Sequence, residues 1–359
     1  MQLTDAARRR SGKSTTMTSR RNLFAGAGAL GGGVLAGLCF HNRAGASTPP
    51  APAPSPSPKR AFRFAQFGDT HVGPAIPFSI SGDGFPKALK HVQALTDGPD
   101  FILHTGDIIT DAFWATRESA AAQWEAWRKV MKEHCTLPVR YTLGNHDVNF
   151  GWGRGGGAAK FPGKSLALEM TGLTSPYYSF DHKGWHFIVL DNTQPGGWNG
   201  FQILLDDAQV AWLEEDLKRT PPDVPVVVAT HAPIICVACF FEPLSKKHPD
   251  GMVISNDCVH QDVVRIHAIF RKHPNIRLCL SGHYHQVDHC RYLGVDYICG
   301  GAVCADYWRR PLTYRPEFEA GYGVVDLFVD GTFEYRFIDY GLTGYQDDPK
   351  RPRHPWGKI

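Results

Sequence analysis

Short apolar runs alternate along this chain with longer stretches in which apolar residues recur at three- and four-residue spacing. The runs predict strands at Phe62–Phe67, Phe101–Thr105, Val139–Leu143, Trp185–Leu190, Val224–Thr230 and Ile276–Leu280. The helical spacing predicts helices at Pro86–Leu95, Arg117–His134, Asp206–Lys218 and Gln261–His273. Such alternation is expected where helices cover sheets in an α/β or mixed domain. Near the C-terminus, apolar runs flank Asp330-Gly331, a pair suited to a primed two-residue turn, so a closing hairpin is expected there.

Polar clusters interrupt this pattern where the strands are expected to end. They are Gly68-Asp69-Thr70-His71, Gly106-Asp107, Gly144-Asn145-His146-Asp147, Thr230-His231-Ala232-Pro233 and Gly282-His283-Tyr284-His285. Four of the five sit at the C-terminal end of an apolar run, the edge where open α/β sheets gather their ligands. Carboxylates, an amide oxygen and imidazoles make a mixed, moderately hard donor set that suits Fe, Mn or Zn better than Ca or a thiolate cluster. Two such cations about 3.5 to 4 Å apart acidify a shared water and clamp the attacking and leaving oxygens of an in-line displacement. The chemistry indicated is metal-assisted hydrolysis.

From Phe62 to Asp339 the ordered clusters resemble the calcineurin-like binuclear metallophosphoesterase superfamily. The resemblance implies an α/β fold with two packed mixed β-sheets flanked by helices, a four-layer αββα sandwich. It implies two divalent or mixed-valence transition metal ions and hydrolysis of phosphate esters by a metal-bridging hydroxide. Asp69, His71 and His285 match ligands of the first metal, Asn145, His231 and His283 match ligands of the second, and Asp107 matches the bridge. His146 matches a proton donor or charge stabiliser over the substrate, and Asp147 is expected to orient it through the other ring nitrogen.

Departures narrow the resemblance. Thr110 stands where purple acid phosphatases carry a ligand tyrosine, and Asp111 is followed by Ala112 where protein phosphatases carry arginine. The pattern is more similar to exported bacterial phosphoesterases near the cyclic-nucleotide phosphodiesterase class, which favours phosphodiesters over monoesters. The alternatives are a phosphomonoesterase or a non-catalytic binding protein for a phosphorylated envelope ligand. Two loops are expected to bear on substrate: Phe150–Gly157, which carries Arg154, and Gly300–Arg310, which carries Trp308 and Arg309, each pairing aromatic surface with guanidinium.

The N-terminus adds a different signal. Residues 1–46 contain paired arginines, Arg20-Arg21, before a Gly/Ala-rich apolar run and Ala44-Gly45-Ala46, and resemble a twin-arginine export signal. A periplasmic or extracellular destination is expected, with an uncleaved membrane anchor as the alternative. Residues 47–60 read as a Pro/Ala/Ser-rich linker, 61–341 as the catalytic domain and 342–359 as a tail rich in proline and charge. With 43% hydrophobic and 20% charged residues the body is not a disordered chain, and a net charge of +3 carries no nucleic-acid signature. Among nine cysteines, Cys279 is expected to be a buried thiol and the Cys236-x-x-Cys239 pair to favour a disulfide, with plain packing or metal chemistry as alternatives.

Overall fold

The computed structural model describes residues 58–73, 84–151, 163–197, 199–241, 254–305 and 320–342. The expected export signal, most of the expected linker and all of the expected tail beyond Leu342 lie outside the described residues, as do Arg154, Trp308 and Arg309. Among the described residues no helix is long and apolar enough to cross a membrane.

Two sheets carry the fold. The first contains β1 (Arg60–Phe67), β2 (Ile102–His104), β3 (Val139–Tyr141), β12 (Gly321–Phe328) and β13 (Phe333–Asp339), in the order β13-β12-β1-β2-β3. The second contains β4 (Tyr178–His182), β5 (Trp185–Val189), β8 (Val226–Ala229), β9 (Ile276–Ser281), β10 (Val287–Tyr292) and β11 (Val295–Gly300), in the order β10-β11-β9-β8-β5-β4. A small hairpin, β6 (Thr193–Pro195) with β7 (Phe201–Ile203), stands beside them. The strands β1, β2 and β3 run parallel, as do β5, β8, β9 and β11, while the outer pairs are antiparallel. Both sheets are therefore mixed, as the resemblance implied.

Side-chain alternation along the strands builds the layers. Phe62 and Phe64 point into the space between the sheets, where they meet Phe101, Phe187, Val227, Leu278 and Val325. Ala65 and Phe67 point to the opposite face, against α1 (Phe85–Gln93), α2 (Arg117–His134) and α3 (Ser165–Thr171). In the second sheet Val227 and Ala229 face inward, whereas Val226 and Val228 pack under α4 (Asp207–Arg219) and α5 (Val263–Phe270). Strands buried on both faces read as continuous apolar runs rather than as alternating ones. That is why these strands were visible in the sequence.

Local signals set the helix starts. The Thr116 side chain accepts from Ser119 N at 3.2 Å, and the Asp206 side chain accepts from Gln209 N at 2.7 Å, each satisfying an otherwise orphan amide at a helix start. The closing hairpin forms, but its turn differs from the expected one. Gly331 takes φ 80° while Asp330 stays out of the left-handed region, and Phe328 N donates to Thr332 O, which makes a three-residue loop. Primed two-residue turns occur instead at Lys183-Gly184 and Leu293-Gly294, where both residues have positive φ and the flanking strands pair directly across.

Candidate metal centre

All five clusters follow the C-terminal end of a parallel strand, namely β1, β2 and β3 in one sheet and β8 and β9 in the other. Because the two sheets pack face to face, these ends lie together. Gln66 Nε2 donates to Ser281 O at 2.9 Å across the sheet interface and ties the end of β1 to the end of β9.

The chain turns sharply as it leaves each strand. Asp69, His71, Asp107, His283 and His285 all adopt positive φ, between 43° and 73°. Left-handed backbone costs a non-glycine residue about 1–2 kcal/mol, although Asp tolerates it better than most. Strain gathered on five of the seven proposed ligands marks a site that the surrounding fold imposes. Two glycines permit the crowding: a Cβ at Gly144 would lie 2.2 Å from Asp107 Oδ1, and one at Gly282 would lie 2.3 Å from Asp69 Oδ2.

The donors form two pockets that share Asp107. Asp69, His71 and Asp107 bring one ligand atom each within 4.8 Å of one another, and so do Asp107, His231 and His283. His285 joins the first pocket, its Nε2 lying 3.1 Å from His71 Nε2 and 3.5 Å from Asp69 Oδ1. Asn145 joins the second, with Oδ1 at 3.0 Å from His231 Nε2. Asp107 Oδ2 stands 3.6 Å from His71 Nε2 and 3.3 Å from His231 Nε2. All seven residues proposed from the sequence as ligands thus converge, in the grouping that the resemblance implied.

The chemistry of these contacts fits cations. His285 Nδ1 and His231 Nδ1 each face a backbone carbonyl at 2.8 Å, of Ala305 and Thr105, and His283 Nε2 faces the Asp257 carbonyl at 3.0 Å. A carbonyl only accepts, so each ring carries its proton there and turns a bare nitrogen inward. Those inward nitrogens face other acceptors, as where His231 Nε2 lies 3.2 Å from His283 Nδ1. Lone pair against lone pair repels, and a proton or a shared cation removes the repulsion.

Electrostatics points the same way. Burial lowers His283 to about 3 and His285 to about 4, so both are neutral and competent as ligands. Burial would also lower His231, but the Asp107 carboxylate overrides it and raises that ring to about 9. Burial lifts Asp69 well above the usual carboxylate range, whereas Asp107, which burial alone would also raise, is held well below it chiefly by His231. The cage therefore takes positive charge wherever it can find it. Cys304 lies on the outer side of His285, with Sγ 3.9 Å from Nδ1.

His146 stands apart from the pockets but against them. Its ring centroid is 4.9 Å from that of His71, and its backbone N donates to Asp107 Oδ1 at 2.9 Å. Asp147 does not take the place expected of it. Its Oδ1 accepts from Ile108 N at 2.8 Å and Ile109 N at 3.2 Å, and its Oδ2 accepts from Gly144 N at 2.8 Å, so it braces the loop that carries Asp107. Burial, then Asp107, raises Asp147 to about 7. Asp111 is the carboxylate beside the ring, with Oδ1 3.7 Å from His146 Nδ1. The carbonyls of Thr105, Asp257 and Ala305 that set the histidine tautomers had no sequence signal, because any residue supplies a carbonyl.

The thiols differ from expectation as well. Cys236 is a buried thiol rather than half of a bridge, and Cys239 Sγ donates to Cys236 O at 3.2 Å. Cys279 is a buried thiol, as expected.

Comparison with known proteins places this arrangement. The sequence profile of the calcineurin-like phosphoesterases matches residues 62–287. A 3',5'-cyclic-nucleotide phosphodiesterase of Nostoc sp. is 25% identical, covering 79% of this chain and 95% of its own. The 3',5'-cyclic adenosine monophosphate phosphodiesterase of Escherichia coli K12 is 21% identical, covering 80% and 92%. Among solved structures, a dimetal phosphatase from Danio rerio superposes with a TM-score of 0.52 at 15% identity, over 79% of this chain and all of that one. That likeness supports the fold.

Proposed function

Because the chain belongs to the calcineurin-like phosphoesterase family, a phosphoesterase enzyme class, we propose that it hydrolyses phosphodiesters in preference to phosphomonoesters, using two Fe, Mn or Zn ions. The observation that carries the reading is Asp107, the one carboxylate common to both donor pockets, with His146 held against it by its own backbone amide. The diester preference is supported by relatives named as cyclic-nucleotide phosphodiesterases that align over most of the chain.

When bound, the metal pair supplies Lewis acidity and an activated water. Asp69, His71 and His285 would hold one ion, Asn145, His231 and His283 the other, and Asp107 would be shared between them. The chain's own residues do the rest. The strained turns hold the donors in place before any ion arrives, so little reorganisation accompanies binding. Asp107 and Asp111 favour a proton on His146 against the lowering effect of burial. His146 delivers that proton to the departing ester oxygen. Asp111 keeps the ring charged and oriented, and Asp147 holds the Asp107 loop against Gly144.

A turnover screen of metal-reconstituted protein against activated monoesters, activated diesters, cyclic nucleotides and glycerophosphodiesters tests the reading. Diesters should turn over fastest, activity should vanish on chelation, and added metal should restore it. Binding of phosphate esters without any turnover would instead favour the non-catalytic binding protein. We further propose export by the twin-arginine route to the periplasm or exterior, on the strength of Arg20-Arg21 and the apolar run behind them. Arg20→Lys with Arg21→Lys should leave precursor inside the cell, and undiminished export of that variant would refute the route.

A further inference from the structure

The loop that leaves Asp107 and Asp111 ends on an aromatic residue in solvent. Trp114 is 72% exposed, although its backbone is firmly held. Trp114 N donates to Asp111 Oδ1 at 3.1 Å, and that same oxygen lies 3.7 Å from His146 Nδ1. Asn149 Nδ2 clamps the preceding turn, donating to Ala112 O at 2.7 Å and Phe113 O at 2.9 Å.

Beneath the indole lies a second ring. Phe113 meets Trp114 edge to face at 4.8 Å and packs at 5.2 Å from Phe201, within an apolar cluster that includes Ala232, the neighbour of His231. From Phe113 the rim continues toward the second metal pocket. Gly200 leaves no room for a side chain beside the Phe113 ring, since a Cβ there would lie 3.0 Å from it; the neighbouring Asn199 side chain donates to the Asp257 carboxylate, and the Asp257 carbonyl accepts from His283 Nε2. Trp114 is therefore tied to His146 through Asp111, and it rests through Phe113 on the apolar cluster beside His231. An uncharged indole on a fixed backbone presents a stacking face without the entropy cost of ordering a loop.

We propose that Trp114, seated on Phe113, is a specificity-determining residue on which the substrate lays a nucleobase, so that the site selects nucleoside phosphodiesters over ring-free ones. The proposal rests on the phosphodiesterase reading above. Stacking on one aromatic side chain is tolerant of base identity, because every base has a π-face. The platform accordingly selects for a ring and does not distinguish adenine from guanine sharply.

Two measurements on the metal-loaded full chain test this. In calorimetry, wild type should bind adenosine 5'-monophosphate about tenfold or more tightly than ribose 5-phosphate, the scale of one base stack. Trp114→Ala should abolish that advantage and Trp114→Phe should keep most of it. An advantage that is absent in wild type, or that survives Trp114→Ala, overturns the platform. In turnover, the ratio of kcat/KM for 3',5'-cyclic AMP to that for glycerophosphocholine should fall about tenfold in Trp114→Ala, mainly through KM for the nucleotide. An unchanged ratio overturns the proposal. Failure to turn over either diester, with the binding advantage intact and lost in Trp114→Ala, would reject the phosphodiesterase reading and support the platform.

Discussion

Asp111 Oδ1 stands 3.7 Å from His146 Nδ1, while the neighbouring Asp147 commits its carboxylate to three backbone amides. The two aspartates therefore have separable roles. Asp111 acts on the charge of the ring, and Asp147 acts on the shape of the loop that positions Asp107.

Asp111→Asn should lower the pKa of His146, because the raised value depends on nearby negative charge that offsets burial. The ring then loses its proton at lower pH, so the alkaline limb of the kcat/KM profile should move downward. Asp147→Asn should leave that limb in place and instead weaken retention of metal. A limb that moves in the Asp147 variant and not in the Asp111 variant would reverse the assignment.

His146→Ala should keep both metals and slow turnover by about 10²- to 10⁴-fold, the usual contribution of a general acid. An alkyl ester departs as a strongly basic alkoxide and needs the proton, whereas a nitrophenyl ester departs as a stable anion and needs it little. The alkyl substrate should suffer more. Equal damage to both would leave electrostatic stabilisation as the only role, and loss of a metal would make His146 a ligand.

Asp107→Asn should disturb both pockets at once, since Asp107 Oδ2 approaches His71 on one side and His231 on the other. Metal analysis by mass spectrometry should show fewer than two equivalents retained after dialysis. Two tightly held equivalents with normal activity would contradict the bridge.

Away from the site, Arg63 grips Asp326 with two bonds of 2.7 Å between β1 and β12, and Arg60 and Arg336 add longer ones. Asp326→Ala should cost about 3 kcal/mol of stability, because the partly buried Arg63 loses its partner. Burial would raise the Asp326 pKa, but Arg63 and its neighbours hold it below the ordinary value. This stabilisation is therefore complete above the unfolded carboxylate pKa, about 3.9, and is lost as pH falls through the lower folded value. Denaturant midpoints in wild type and variant should converge in strong acid, and a constant difference across that range would disprove the linkage.

The sequence by itself determined the apolar runs of the central strands, the principal helices and the seven residues proposed as metal donors. These signals are local. Strands such as Val226–Ala229, buried on both faces, read as unbroken apolar runs, and the motif glycines announce turns. Tertiary structure decided what depends on approach between distant segments. Asp111 rather than Asp147 faces His146 because the loop after Asp107 folds back, with Ala112 N donating to His146 O at 2.7 Å. The histidine tautomers were set by carbonyls of Thr105, Asp257 and Ala305, which lie on chain segments remote from the rings of His231 and His283 and carry no side-chain signal. Turn geometry likewise followed strand pairing: Leu293-Gly294 takes the primed turn because Tyr292 and Val295 pair directly, whereas Asp330-Gly331, the better turn sequence, closes a ladder whose register leaves three residues to span.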